Sequence, residues 1–105
     1  MKIEVLYVGG CPSHGPSVRL LKEVLALEGV TAEIREVLVM DETMARDLRF
    51  RGSPTIRIDG HDILEDSSAV GALACRLYPG STRIGVPSAD MIRRALRRAI
   101  EGKRQ

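Results

Sequence analysis

Aromatic side chains are nearly missing from this chain: Tyr7, Phe50 and Tyr78 are the full set, and there is no tryptophan. The core must therefore be aliphatic, built from Val, Ile, Leu, Ala and Met. The same scarcity argues against a stacking platform for single-stranded nucleic acid, which depends on exposed rings. Long hydrophobic runs are also lacking. No stretch approaches the roughly 18 apolar residues that span a bilayer, so no membrane partner is expected. Met1–Gly10 has neither the apolar centre nor the cleavage pattern of a secretory signal. A cytoplasmic location, with thiols kept reduced, is the expectation that follows. A charge excess is absent as well: 16 basic residues against 14 acidic ones leave +2. Only the last stretch is lopsided, with Arg93, Arg94, Arg97, Arg98, Lys103 and Arg104 facing Glu101 alone. Without base-reading side chains beside it, that run reads as a solvated helix face, and no nucleic-acid partner is expected. Cysteine is limited to Cys11 and Cys75. In a reducing compartment these are less expected to be a structural staple than to be reactive, redox-active, metal-binding or simply buried.

What is present fits one domain over residues 1–105, of ordinary globular composition with 44% hydrophobic and 29% charged residues. Lys2–Val8 is apolar on both alternating faces, with Ile3, Val5 and Tyr7 on one side and Leu6 and Val8 on the other. That pattern predicts an inner strand of a sheet covered on both sides. After Gly9-Gly10-Cys11-Pro12, residues 13–17 begin a helix carrying Val18, Leu21 and Leu25 at helical spacing, and Gly29 stands where a C-terminal cap belongs. Thr31–Met40 reads as a second strand. Asp41 caps a short helix over Glu42–Phe50, Thr55–Ile58 is a third strand, and Asp59-Gly60 is a tight turn into a short arm, His61–Leu64. Glu65–Gly71 has no period and reads as an irregular insertion; Ala72–Tyr78 reads as a further strand or a helical piece, with strand favoured because Pro79-Gly80 stops it abruptly. Ser88 caps a last helix with the apolar stripe Ile92, Ala95, Leu96, Ala99 and Ile100. The order predicts an α/β fold: a parallel first pair joined by a helix, antiparallel strands after it, and helices on both faces of a mixed four-stranded sheet.

Two places carry chemistry. Cys11 lies between a buried strand and the first turn of a helix, where unpaired N–H groups and the helix dipole favour negative charge. The thiolate is both the nucleophile and the metal-binding form, so the position favours a reactive cysteine over a small residue at a tight turn. His14, three residues on, reads either as an electrostatic neighbour or metal ligand beside the sulfur, or as a loop histidine. Cys-x-x-His without a second pair is a weak zinc signal, since a structural site needs four ligands, and no metal site or cofactor is expected from it. The second place is Ser53-Pro54-Thr55: a proline opening a strand after a glycine turn reads either as a cis-proline site or as a trans proline on an edge strand.

With Gly10-Cys11-Pro12-Ser13-His14 leading into the first helix, and Leu48–Ile58 carrying Gly52-Ser53-Pro54-Thr55, the layout resembles the thioredoxin superfamily over nearly the whole chain. It is similar also to small bacterial proteins of that family described as alkylmercury-lyase-like, through Cys11–Pro16 and Cys75–Tyr78. The resemblance implies a thioredoxin-like fold in which Cys11 is the attacking cysteine and Pro54 the cis-proline facing it. It implies that Pro12, Ser53, Pro54 and Thr55 line the substrate groove, with Ser53 lending backbone groups to an extended substrate. His14 stands where the second cysteine of Cys-x-x-Cys would be, so the usual dithiol cycle cannot run within the motif. Three routes stay open: Cys11 works alone through mixed disulfides, Cys75 resolves it, or the fold is redox-inactive and binds a partner. A thiol–disulfide oxidoreductase acting on protein or low-molecular-weight thiols and disulfides is the first expectation. A soft-metal or organomercurial thiolate binder using Cys11 and Cys75 is the second, and a non-catalytic binding module the third.

Overall fold

The computed structural model describes residues 1–64, 73–81 and 83–103. The reading of Glu65–Gly71 as an insertion lies outside the described residues. Seven elements follow in order: β1 (Lys2–Tyr7), α1 (His14–Glu28), β2 (Glu33–Leu38), α2 (Glu42–Asp47), β3 (Thr55–Ile58), β4 (His61–Asp62) and α3 (Ala89–Lys103). The sheet order is β2-β1-β3-β4, with β1 and β2 parallel and the other pairs antiparallel. This is the α/β arrangement with a mixed four-stranded sheet that the element order implied.

β1 has neighbours on both sides, and its two apolar faces divide the core. Ile3 and Val5, both fully buried, pack with Ile56 and Ile58 of β3 against Val18, Leu21, Val24 and Leu25 of α1 and Ile92, Ala95 and Leu96 of α3. Leu6 points the other way and joins Val39, Ala45 and Phe50 under α2. Helices therefore cover both faces. The basic face of α3 is partly engaged rather than wholly solvated. Arg93 and Arg97 reach Glu28 at the end of α1, at 3.6 and 3.4 Å, and Arg93 also pairs with Asp90 at 2.6 Å. Among the described residues no helix is long and apolar enough to cross a membrane.

Several element limits differ from those the pattern predicts. β2 is confined to residues 33–38 because its ladder is set by β1, Lys2 lying opposite Glu33 and Tyr7 opposite Leu38. α2 stops at Asp47, not Phe50: Arg49 takes a left-handed backbone (φ 54°), and Phe50 turns inward with its N–H on the Ala45 carbonyl at 2.8 Å. The Ala72–Tyr78 strand is not formed over the described part of that range. Only Cys75 pairs, in an isolated parallel bridge to Ser53. The cause is competition for one edge: from Ile56 onward that side of β3 belongs to β4, and Ile63 N–H already donates to the Ile56 carbonyl at 3.0 Å.

The caps are where the pattern puts them. Gly29 ends α1 in the left-handed region, and Asp41 accepts from the Met44 N–H at 2.8 Å to start α2. In a helix of six residues that cap is a sizeable share of the local stability. Asp41→Ala is expected to cost about 1 kcal/mol, read as a lower denaturation midpoint with an unchanged slope.

Candidate functional site

β1 delivers the chain to the site and α1 carries it away. Past Tyr7, the Cys11 N–H closes a turn onto the Val8 carbonyl at 3.3 Å, and the His14 N–H closes another onto the Cys11 carbonyl at 3.3 Å. α1 begins at His14 with Ser13 as its N-cap residue, so Cys11 sits in the turn just before the helix. Ser13 does not cap with its side chain. Its hydroxyl instead donates to the Ile84 carbonyl at 2.9 Å, and Ser17 donates to the Gly85 carbonyl at 3.4 Å. The loop before α3 is thereby tied to the start of α1.

Opposite Cys11 stands Ser53. The peptide bond Ser53–Pro54 is cis. Pro54 precedes β3, and since β3 runs antiparallel to β1, its start lies at the end of β1 from which Cys11 emerges. The Ser53 hydroxyl accepts from the Val8 N–H at 3.1 Å, and the half-buried Cys11 Sγ lies 3.9 Å from the Ser53 carbonyl oxygen. Thr55 does not open toward a groove. It is fully buried, donating to the Gly52 carbonyl at 2.6 Å and accepting from the Arg51 N–H at 3.1 Å, and so holds the turn ahead of Pro54. Pro12 is exposed at the rim.

Cys75 comes to the same residue from the other side. The Ser53 N–H donates to the Ala74 carbonyl at 2.7 Å, and the Arg76 N–H donates to the Ser53 carbonyl at 3.1 Å. Cys75, between these two bonds, is exposed, and both cysteines are free thiols. The structure therefore brings both cysteines to Ser53. The main-chain groups of Ser53, expected to serve an extended substrate, bond to the chain's own residues.

His14 is turned to other partners. Its ring stacks on Tyr7 with centroids 3.6 Å apart and planes 8° from parallel, and Nε2 is 2.6 Å from Glu36 Oε1 on β2. These contacts fix the imidazole against β1 and β2. Among the described residues no group of three or more His, Cys, Asp or Glu side chains is placed to hold a metal ion. A soft-metal site here would rest on the two thiolates.

Arg76 and Tyr78 were not singled out individually by sequence reasoning. Arg76 is 3% exposed; Nη1 meets Asp62 Oδ1 at 2.8 Å and Nη2 donates to the Leu64 carbonyl at 2.9 Å. Its guanidinium also lies 5.1 Å from the Tyr78 ring centre, and the Tyr78 hydroxyl donates to the Pro54 carbonyl. The available signal was the alternation Cys75, Leu77 outward and Arg76, Tyr78 inward. An arginine on an inward position normally argues against that phase, because unpaired charge is costly to bury. Glu36 left no local signal, since its partner is 22 residues away.

No protein-family model, no curated protein and no solved structure matches this chain.

Proposed function

We propose that the chain is a thiol–disulfide oxidoreductase of thioredoxin-like fold in which Cys11 attacks and Cys75 resolves. The observation that carries this reading is that both cysteines converge on Ser53. Cys11 Sγ lies 3.9 Å from its carbonyl oxygen, and Cys75 is its paired residue in the bridge. Adjacent paired strands lie about 4.8 Å apart, so Cys75 is one strand spacing from the residue the Cys11 sulfur touches.

The Cys11 thiolate attacks one sulfur of a disulfide R–S–S–R′. A Cys11–S–S–R bond forms as R′–S⁻ leaves and takes up a proton. The Cys75 thiolate then attacks the Cys11 sulfur, releasing R–S⁻ and leaving a Cys11–Cys75 disulfide. The substrate has gained two electrons and the protein has lost two; a low-molecular-weight thiol such as glutathione returns them by the reverse exchange. Cys75, being exposed, is open to that reductant.

The test is oxidation of the reduced protein by stoichiometric glutathione disulfide, followed by thiol counting and intact mass. The expected product has no free thiol and no adduct, only the loss of two hydrogens. A stable single glutathione adduct with the second thiol still free would overturn the resolving role of Cys75. No reaction at Cys11 would overturn the proposal as a whole.

A further inference from the structure

Resting on the reading of Cys11 as the attacking thiol, we infer that Ala74–Arg76 is a built-in occupant of the strand-pairing position beside Cys11. The site therefore takes compact low-molecular-weight disulfides and rejects extended peptides. Anything joined to the Cys11 sulfur must lie alongside Ser53, whose carbonyl is 3.9 Å away. An extended peptide gains its affinity at a sheet edge from main-chain hydrogen bonds. At this edge those groups are taken. The Ser53 N–H and carbonyl bond to Ala74 and Arg76, and the Pro54 carbonyl accepts from Tyr78. Pro54 has no N–H to offer. From Ile56 onward the edge is covered by β4 and Ile63.

The strap is anchored too firmly to be pushed aside by a passing peptide. Its end is fixed by Arg76, whose buried guanidinium is held by Asp62 and the Leu64 carbonyl. It also lies flat on Gly52, where a Cβ would stand 2.9 Å from Arg76 Cβ, so the backbones approach more closely than any side chain at 52 would permit. Displacing the strap would expose the Ser53 pairing groups and separate a buried charge from its carboxylate, a large cost in a dry site. A compact disulfide needs neither pairing nor displacement. It has only to reach a half-buried sulfur past the exposed side chains of Leu73, Cys75 and Leu77. Arg76 is accordingly a positioning residue that sets specificity through the strap.

The test uses single-turnover exchange, which needs no catalytic cycle. Cys75→Ser protein is mixed with two chromogenic disulfides sharing thionitrobenzoate as leaving group, one on 2-mercaptoethanol and one on the cysteine of an extended nonapeptide. Each rate is divided by that of free N-acetylcysteine with the same reagent. The normalised peptide rate is expected to be about tenfold or more below that of the small disulfide, since the peptide carries bulk with no main-chain bonds to offset it. Adding Asp62→Asn or Arg76→Ala loosens the strap and is expected to raise the peptide rate severalfold while leaving the small-disulfide rate within about twofold. Amide exchange at Ser53 and Arg76 reports the opening directly. A normalised peptide rate equal to or above the small-disulfide rate overturns the inference. So does an unmoved ratio in a variant whose strap amides have lost protection. If the variants do not fold, the ratio in the Cys75→Ser parent decides alone. Absence of multiple turnover with a reductant would count against the oxidoreductase reading and leave this ratio intact.

Discussion

Cys75→Ser is expected to leave the first exchange at Cys11 within about threefold of the wild-type rate and to stall the cycle there, with the mixed disulfide accumulating to one equivalent. The asymmetry follows from where the two sulfurs sit. The first exchange uses the half-buried Cys11 and an incoming disulfide, and no bond to Cys75 is made or broken in it. The second is intramolecular. With Cys75 gone it depends on an external thiol at sub-millimolar concentration, whereas a tethered and oriented nucleophile acts at a far higher effective concentration. Steady-state turnover is therefore expected to fall about 100-fold or more. Cys11→Ser removes the first step and abolishes turnover, leaving only the exchange of the exposed Cys75 thiol. Stopped-flow release of a chromogenic thiol measures the first step, and intact mass measures the trapped adduct. If Cys75→Ser turned over at the wild-type rate, Cys11 would be working alone through external thiols, and the pairing of Cys75 with Ser53 would serve only the architecture of the strap.

The part of this site that lay open in the sequence was the part set by neighbouring residues. The two-faced pattern of β1 correctly separates Ile3 and Val5 from Leu6. The Asp59-Gly60 turn follows from backbone chemistry alone, both residues taking positive φ (50° and 85°) between β3 and β4. Asp59 also closes the sheet, its Oδ1 accepting from the Lys2 N–H at 2.9 Å, a contact spanning 57 residues that no local pattern could reveal. The same limit governed the strap. Residues 75–78 do alternate inward and outward as a strand would. Whether an alternating segment becomes a strand depends on a free edge, and β4 had taken most of the edge of β3. His14 shows the limit from the other side. Its spacing from Cys11 is local and readable, but its orientation is set by Tyr7 and Glu36 on two different strands.

A second large effect is expected far from either sulfur, at Gly85. Its backbone is left-handed (φ 77°), and a Cβ there would lie 2.3 Å from Ser13 Oγ and 2.7 Å from Ser13 Cβ. Gly85→Ala therefore combines two penalties. A left-handed alanine costs about 1–2 kcal/mol. Overpacking against Ser13 adds about 1–3 kcal/mol, because Ser13 is 5% exposed and cannot simply swing out. A total of about 2–5 kcal/mol is a large fraction of the stability of a domain this size. The strain also has a direction. Relieving it means separating the Ile84–Gly85 loop from Ser13, two residues from Cys11, and breaking the Ser13 hydroxyl bond to Ile84. First-step exchange at Cys11 should therefore slow along with the loss of stability. The two penalties can be separated by adding Ser13→Gly, which removes both clashing atoms and leaves the backbone cost. The double variant is expected to recover at least about 1 kcal/mol relative to the sum of the single changes. Additive behaviour would assign the whole effect of Gly85→Ala to its backbone. The contact between this loop and the turn carrying Cys11 would then have no part in positioning the sulfur.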